Sequence, residues 1–528
     1  MSKNILAIDV GSTKVCAIIA EDRGGGNGAR IIGAGVANSQ GLKKGSITNI
    51  DLASKSIKTA FEDAKRVAGT FETEAIVSIS GAYTKSIHSS GIVNVPMGEV
   101  TITEIDRVMQ TARYNANIQV EYDILHILPY NFKVDEQDFV EDPLGMNASR
   151  LEVFVHIVVT PKSNFNNLKR AVELAGLKVK NIVLNSYASY IATVNPDEKS
   201  LGVAVVDMGG NTSSFVIQAG GNSVRYHGFL AVGSEHITND LSRLLHTPPH
   251  VAENVKITYG NLNIQSDDLI ELPIVGDETS THEAKLDFIR EIVHARVAET
   301  LGILADQIYE SGLRDEIGAG VVLTGGLTKL EGVRELAMAI FNTPVRLATP
   351  KPISGLFESL RDPAYSTAIG LVMYGAGYYS LYEFDSNGDM KFNEDSIKKA
   401  QIPNEISLDN ISPKSFQKSL QQSATPKEPN IGVGNERVGM NPMSPPHQPS
   451  SYSQMNQPQP TMTTPQPNEV QVSPTPQTNI PKHQQQQPIA NELHHKQYYE
   501  HLRSGSSQLE QDKNGVVSKL WQWVTQLF

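Results

Sequence analysis

Asp9-Val10-Gly11-Ser12-Thr13-Lys14 and, far along the chain, Asp207-Met208-Gly209-Gly210-Asn211-Thr212 are two copies of one device. Each follows a run of strand formers (residues 5–8 and 203–206) and leads directly into another (15–19 and 215–217), the pattern of a tight β-hairpin. Gly at such a turn lets a bound group approach the backbone, where amides and hydroxyls can hold phosphate oxygens. The leading Asp can hold water around a divalent cation. A lone turn of this kind is ordinarily a plain hairpin. A pair separated by one domain's worth of chain reads instead as a clamp on the β- and γ-phosphates of a nucleotide. A third piece extends the pattern: residues 319–324 read as a buried strand ending in Gly325-Gly326, followed by a helix over about 329–341. Such a turn can pass under an adenine ring, where a side chain would collide.

In this order and spacing the three turns resemble the phosphate and adenosine motifs of the actin, sugar kinase and heat-shock chaperone superfamily. Within it the chain is similar to the FtsA family of bacterial cell-division proteins. The likeness covers roughly residues 3–379 and includes Gly41-Leu42-Lys43-Lys44-Gly45-Ser46-Ile47, AVELAGLKV at 171–179, Val322-Leu323-Thr324-Gly325-Gly326 and Tyr365-Ser366-Thr367-Ala368-Ile369-Gly370. It implies an α/β, actin-like two-lobed ATPase fold: duplicated ribonuclease-H-like domains with an inserted small α+β subdomain, then a disordered linker and a C-terminal amphipathic helix.

Composition agrees with several units. At 528 residues the chain is too long for one core, and the length prior gives about three to four. The net charge of -12 offers no nucleic-acid surface. Cys16 stands alone, which excludes an internal disulfide and fits a reducing cytosol. The apolar stretch 5–20 is broken by Asp9 and Lys14 and lacks a cleavage pattern, so it reads as neither signal peptide nor membrane span.

The first lobe is expected at 1–82 and 161–200, with a helix at 164–175 and a strand at 178–184. Residues 83–160 form an insertion with strands near 124–132 and 151–159 and a helix opened by Thr103, with Asp106 at the capping-box spacing. In the family an insertion here serves filament contacts and partner binding. The second lobe takes 201–231 and 312–382. Between them, 232–311 reads as helices at 234–245 and 249–259, two strands and a long helix over 283–310. The resemblance implies that this part closes over the nucleotide and receives the C-terminal peptide of FtsZ. Glu253 and Lys256, one turn apart on one helix face, match the family's Ala-Glu-x-x-Lys helix facing ribose and adenine.

Nucleotide binding is thus expected at Asp9, Gly11, Ser12, Thr13, Lys14, Asp207, Gly209, Gly210, Asn211, Thr212, Glu253, Lys256, Gly325 and Gly326, with ATP as ligand and Mg2+ held through water by Asp9 and Asp207. No catalytic residue is assigned. Hydrolysis needs a water aligned on the γ-phosphate, in this superfamily usually by Glu or Gln at the start of the connecting helix. Asn185 stands there, with a shorter amide that cannot take a proton, so hydrolysis is predicted to be slow or absent. Asn211 replaces a usual third Gly, and Asn tolerates left-handed backbone. Ser214 stands where chaperone relatives carry Asp.

From residue 383 to 511 Gln, Pro, Ser, Asn and Thr dominate, too polar to offset ordering entropy, and the segment reads as a disordered tether. Its r.m.s. reach is about 60 Å by flexible-chain scaling. Over 512–528 the apolar residues Val516, Val517, Leu520, Trp521, Val524, Leu527 and Phe528 fall on one helical face. The helix is too short to span a bilayer and is predicted to lie in the membrane interface, bound through Val517, Leu520, Trp521, Val524, Leu527 and Phe528. Docking into a protein groove is the rival reading. Burial of seven large apolar side chains yields on the order of 10 kcal/mol, at roughly 1.5 to 3 each, and ordering the backbone costs a similar sum. One tail therefore attaches marginally, and assembly into a filament multiplies it.

These readings combine into a polymerising adaptor at the septum, peripheral on the cytoplasmic face of the inner membrane. Its expected partners are FtsZ, copies of itself, later division proteins and membrane lipids, with no nucleic acid. The alternatives are a small-molecule kinase or a pilus-assembly actin-like protein of the same superfamily; the tether and terminal helix count against both.

Overall fold

The strand Lys3–Val10 turns at Gly11 and pairs antiparallel with Lys14–Asp22, Asp9 facing Cys16 and Val10 facing Val15 across the hairpin. The computed structural model describes residues 3–392 apart from 24–27, 221–222, 264–265 and 356. Ile5 to Val10 are all buried, so this strand is covered on both faces, as its unbroken apolar run requires. A third strand, Ala29–Asn38, extends the antiparallel side. On the other side Glu74–Ile79 and Lys178–Leu184 add parallel strands.

The second hairpin builds the same sheet again. Val203–Met208 pairs antiparallel with Ser213–Gln218, which pairs with Val224–Leu230, while Val321–Thr324 and Val345–Leu347 add in parallel on the far side. In each lobe the strand entering the Gly-bearing turn is central, with its hairpin partners on one side and parallel strands on the other. This places both turns at the same end of equivalent strands. One apolar core runs from the first sheet through to Val203, Val205, Val216 and Val322 on the inner face of the second, and another lies on the second sheet's outer face.

Two helices cross where the lobes join. Asn185–Thr193 follows the last strand of the first sheet directly, and Ser366–Gly375 packs over it. A Cβ on Gly370 would lie 1.9 Å from the Ala188 carbonyl oxygen, so only glycine permits the crossing. Ala188, Ala368 and Ile369 belong to the core that reaches both sheets.

Between the strands Glu74–Ile79 and Lys178–Leu184 lies a four-stranded antiparallel sheet of Lys85–Asn94, Arg150–Pro161, Tyr122–Val134 and Gln137–Val140, covered by the helix Ile102–Asn115. That helix is capped by Thr101 and Glu104, not by Thr103 and Asp106. Both pairs have capping spacing; the buried stripe Ile105, Val108, Met109 and Ala112 sets the phase and therefore the start.

Other boundaries shift for similar reasons. The long helix is Leu286–Glu310, because residues up to Lys285 pair as the strand Asp277–Lys285 with Leu269–Ile274. After Gly325 a single 3-10 turn, Gly326–Lys329, precedes the helix Val333–Phe341, with Gly332 in left-handed backbone between them. The tether assigned from 383 begins too early. Residues 380–392 are folded: Tyr382 and Phe384 lie in the insertion's core, and Phe384 exchanges two backbone hydrogen bonds with Ile127, each 3.0 Å. The acids Glu383 and Asp385 give this stretch a tether-like composition, yet both are buried against hydrogen-bonding partners. The rest of the tether and the amphipathic helix lie outside the described residues. Among the described residues no helix is long and apolar enough to cross a membrane.

Candidate functional site

The two turns meet. A Cβ on Gly210 would lie 2.1 Å from the Thr13 methyl carbon, and the Asn211 amide donates to Ser12 Oγ at 3.3 Å. Glycine at 11 is required as well, since a Cβ there would come within 2.7 Å of the Lys14 carbonyl oxygen. Gly209 closes its own turn by donating to the Thr212 carbonyl at 2.9 Å. The carbonyls of Gly209 and Gly210 accept from the amides of Ser234 and Glu235 at 3.0 and 2.8 Å, seating the second turn on the N-terminus of the helix Ser234–Leu244. Asn211 does not adopt left-handed backbone. Its side chain is hydrogen-bonded to Glu235 instead.

Beneath the turns stand Asp9 and Asp207. Ser78 donates from Oγ to Asp9 Oδ1 at 2.8 Å and accepts from the Val10 amide at 2.8 Å. Asp207 Oδ2 accepts from Ser189 Oγ at 2.6 Å and Thr367 Oγ1 at 3.1 Å. Burial pushes the Asp9 carboxyl up to about 6, against the pull of Lys14 and Ser78, and the nearby Asp207 raises it further. Burial raises Asp207 too, opposed by its two hydroxyl donors and Lys14. Two buried acids, both raised by burial, suit a cation shared through water. Among the described residues no cluster of three His, Cys, Asp or Glu side chains could hold a metal. Two carboxylates are a set that would suit Mg2+, which binds through one or two carboxylates with water and substrate phosphates completing its shell.

The raised Asp9 fixes a sign. Between pH 4 and 6 the folded protein binds more protons at Asp9 than the unfolded chain, so ligand-free stability falls as pH rises through that window. Cation binding needs the ionised form and runs the other way. Magnesium-dependent ATP affinity is expected to climb roughly tenfold per pH unit up to about pH 6 and then level off, with Asp9→Asn flattening the profile. Calorimetric titration from pH 5 to 8 checks this; a wild-type profile flat below 6 rules it out.

The remaining predicted residues distribute unevenly. Lys14 Nζ donates to the Ala364 carbonyl at 2.5 Å and lies 4.6 Å from the centre of the Tyr365 ring, bridging the first turn to the segment before the helix Ser366–Gly375. Gly325 sits at φ 92° with its missing Cβ directed at Asp207 Oδ1, 2.4 Å away, and at the backbone of Met208. Approach of Asp207 thus already requires glycine at 325. At 326 a Cβ would meet only Ala364, at 3.6 Å. Lys256 is buried and donates to Glu253 at 2.7 Å, Thr238 at 2.9 Å and the Ser234 carbonyl at 3.2 Å, so its three ammonium protons are matched by three acceptors. This group adjoins the second turn through Glu235, whose carboxyl is raised chiefly by burial and also by Glu253. Asn185 Oδ1 accepts from the Ser186 amide at 2.8 Å. Ser78, Ser189, Thr367 and Glu235 carry no role in the sequence reading, although Thr367 lies in the Tyr365–Gly370 motif and Ser189 in the stretch 183–189 that matches the start of the connecting helix.

Comparison with known proteins identifies the family. A model described as the SHS2 domain inserted in FTSA matches residues 81–159, and one described as Cell division protein FtsA matches 204–370. The cell division protein FtsA of Helicobacter pylori (strain J99) is 42% identical over 461 residues, covering 80% of this chain and 92% of its own length. That of Pseudomonas aeruginosa is 37% identical over 376 residues, with 71% and 89% covered. A solved structure described as a PilM-PilN type IV pilus biogenesis complex superposes with a TM-score of 0.50 at 16% identity, over 70% of this chain and 98% of its own, a likeness of fold alone. The duplicated sheets, the opposed hairpins and the inserted SHS2 domain make up an actin-like two-lobed α/β fold. With identity of this degree over most of both chains, the protein belongs to the FtsA family of cell-division proteins.

Proposed function

We propose that the chain binds ATP with Mg2+ between its lobes, polymerises in that form, and ties the FtsZ ring to the cytoplasmic membrane while recruiting later division proteins. The observation that carries this reading is the contact between the two turns, Gly210 against Thr13 and the Asn211 amide on Ser12, with two buried acids directly below. Backbone amides of both turns with Ser12, Thr13 and Thr212 would hold phosphate oxygens, and Asp9 and Asp207 would hold the cation's water shell. The cation supplies charge neutralisation for the phosphates. Lys14 would have to leave the Ala364 carbonyl to reach a phosphate, and Glu253 with Lys256 would meet the nucleoside from the flanking helix. Asn185 engages its neighbour's amide and carries no proton-accepting carboxylate, which supports slow turnover. The nucleotide then acts mainly to hold the lobes together.

The apolar stripe at 516–528 supplies the membrane contact, at the inner face of the septum, and the 232–311 part the surface for the FtsZ C-terminal peptide. Sedimentation with liposomes of the intact chain and of one ending at Gln511, each with and without ATP, tests the reading. Lipid binding by the intact chain alone, strengthened by ATP, is expected. Binding that survives removal of the tail defeats the anchoring role, and no ATP effect on either chain defeats the link between nucleotide and assembly.

A further inference from the structure

Asp207 belongs to the second lobe's central strand, and the groups that hold its carboxylate come from the two helices that cross between the sheets. Ser189 lies on the helix Asn185–Thr193 and Thr367 on the helix Ser366–Gly375, the two that cross at Gly370 within the core shared by both sheets. Both hydroxyls reach the same oxygen, Oδ2, at 2.6 and 3.1 Å, and lie 2.9 Å from each other. Ser189 is fully buried and Thr367 nearly so. Behind them Thr324, paired with Asp207 across the parallel strands, shares a 2.6 Å hydrogen bond with Ser366. No described residue donates to Oδ1, and Gly325 keeps the space beside it free of a side chain.

The terminal torsion of an aspartate is soft, so a carboxylate held only by its own backbone samples a broad range of planes. Two donors on one oxygen remove that freedom and leave the other oxygen as the acceptor for an incoming group. Because the donors ride on the two crossing helices and the carboxylate on a strand they pack against, this aim holds only while those helices stay seated between the sheets.

We infer that Ser189 and Thr367 are positioning residues that aim Asp207 Oδ1 at the hydrated cation, so that the cation site is complete only with the crossing helices seated against the second sheet. The inference rests on reading Asp207 as a cation-holding carboxylate. Groups outside the metal shell that orient its ligands are worth about ten to a hundredfold in metal affinity.

The test is equilibrium ATP titration of the full-length chain, in Mg2+ and in EDTA, for wild type, Ser189→Ala, Ser189→Thr, Thr367→Val, Asp207→Asn and the Ser189→Ala/Asp207→Asn pair. The gain in affinity on adding magnesium is expected to shrink about tenfold in Ser189→Ala and less in Thr367→Val, with the EDTA affinities unchanged. Ser189→Thr should keep the gain, and Ser189→Ala should cost nothing further once Asp207 is Asn. A role confined to packing would weaken both arms alike and add to the Asp207→Asn effect, which would overturn the inference. So would a full magnesium gain in Ser189→Ala. A wild-type chain without any magnesium gain would overturn the cation reading of Asp207 and this inference together.

Discussion

The Asp207→Asn chain is expected to bind ATP about a hundredfold more weakly in magnesium, while the ligand-free protein becomes more stable. The two effects have one cause. Burial disfavours charge at Asp207, and its charge in turn disfavours that of Asp9, so the ligand-free protein carries a cost that a neutral amide removes. Asn has nearly the same shape and keeps an oxygen for Ser189 and Thr367, so no donor is stranded. The stability gain is on the order of 1 kcal/mol, because lost attraction to Lys14 offsets part of the relief. In the loaded form the balance reverses: a cation between two acids loses half of the protein charge facing it, and a hundredfold corresponds to about 2.7 kcal/mol. Thermal unfolding without nucleotide and titration with Mg-ATP measure the two halves. If stability and affinity fall together, Asp207 serves the fold rather than the ligand.

Legibility in the sequence followed distance along the chain. Each hairpin could be read because its signal is local: a β-forming run, an Asp, one or two Gly and a second run. That the turns touch could not, because Ser12 and Asn211 are 199 residues apart and no local preference records the pairing. Ser78 and Ser189 escaped notice because a small hydroxyl within an apolar strand or helix looks like filler until its acceptor is known. Gly325 was legible as a glycine under compulsion, but the group pressing on it, Asp207, required the parallel pairing of Thr324 with Asp207. The phase of the insertion's helix turned on which face met the sheet, and two capping pairs two residues apart gave the sequence no means to choose. The stretch 383–392 was misassigned because composition averages over a window, whereas order there depends on Tyr187 and Tyr374 far upstream or across a turn.

That misassigned stretch supplies the largest expected loss of stability. Glu383 is fully buried where the insertion, the crossing helices and the segment after the second lobe come together. Its carboxylate accepts from Tyr187 at 2.5 Å, from Tyr374 at 2.8 Å and from the Ser380 amide at 3.1 Å. His126 of the insertion has Nδ1 3.8 Å away, and Tyr187 and Tyr374 hold their phenol protons more tightly through burial and the adjacent acid. Tyr187 sits on one crossing helix and Tyr374 on the other, while the residues flanking Glu383, Tyr382 and Phe384, are core of the insertion. Glu383→Ala strands the buried Tyr374 hydroxyl, at about 1 to 3 kcal/mol, and leaves Tyr187 only Ser380 Oγ at 3.1 Å and the Ser380 amide only the Tyr187 oxygen at 3.0 Å, so it is expected to cost about 2 to 5 kcal/mol. Glu383→Gln keeps one acceptor oxygen but turns an amide NH2 toward phenol donors, so it should fall between Ala and wild type. Urea unfolding gives the order, and limited proteolysis within 83–160 shows whether the insertion loosens first, as loss of its link to the crossing helices requires. A Glu383→Ala chain within 1 kcal/mol of wild type, with the insertion still protected, would mean that Tyr382 and Phe384 hold this junction by apolar packing alone.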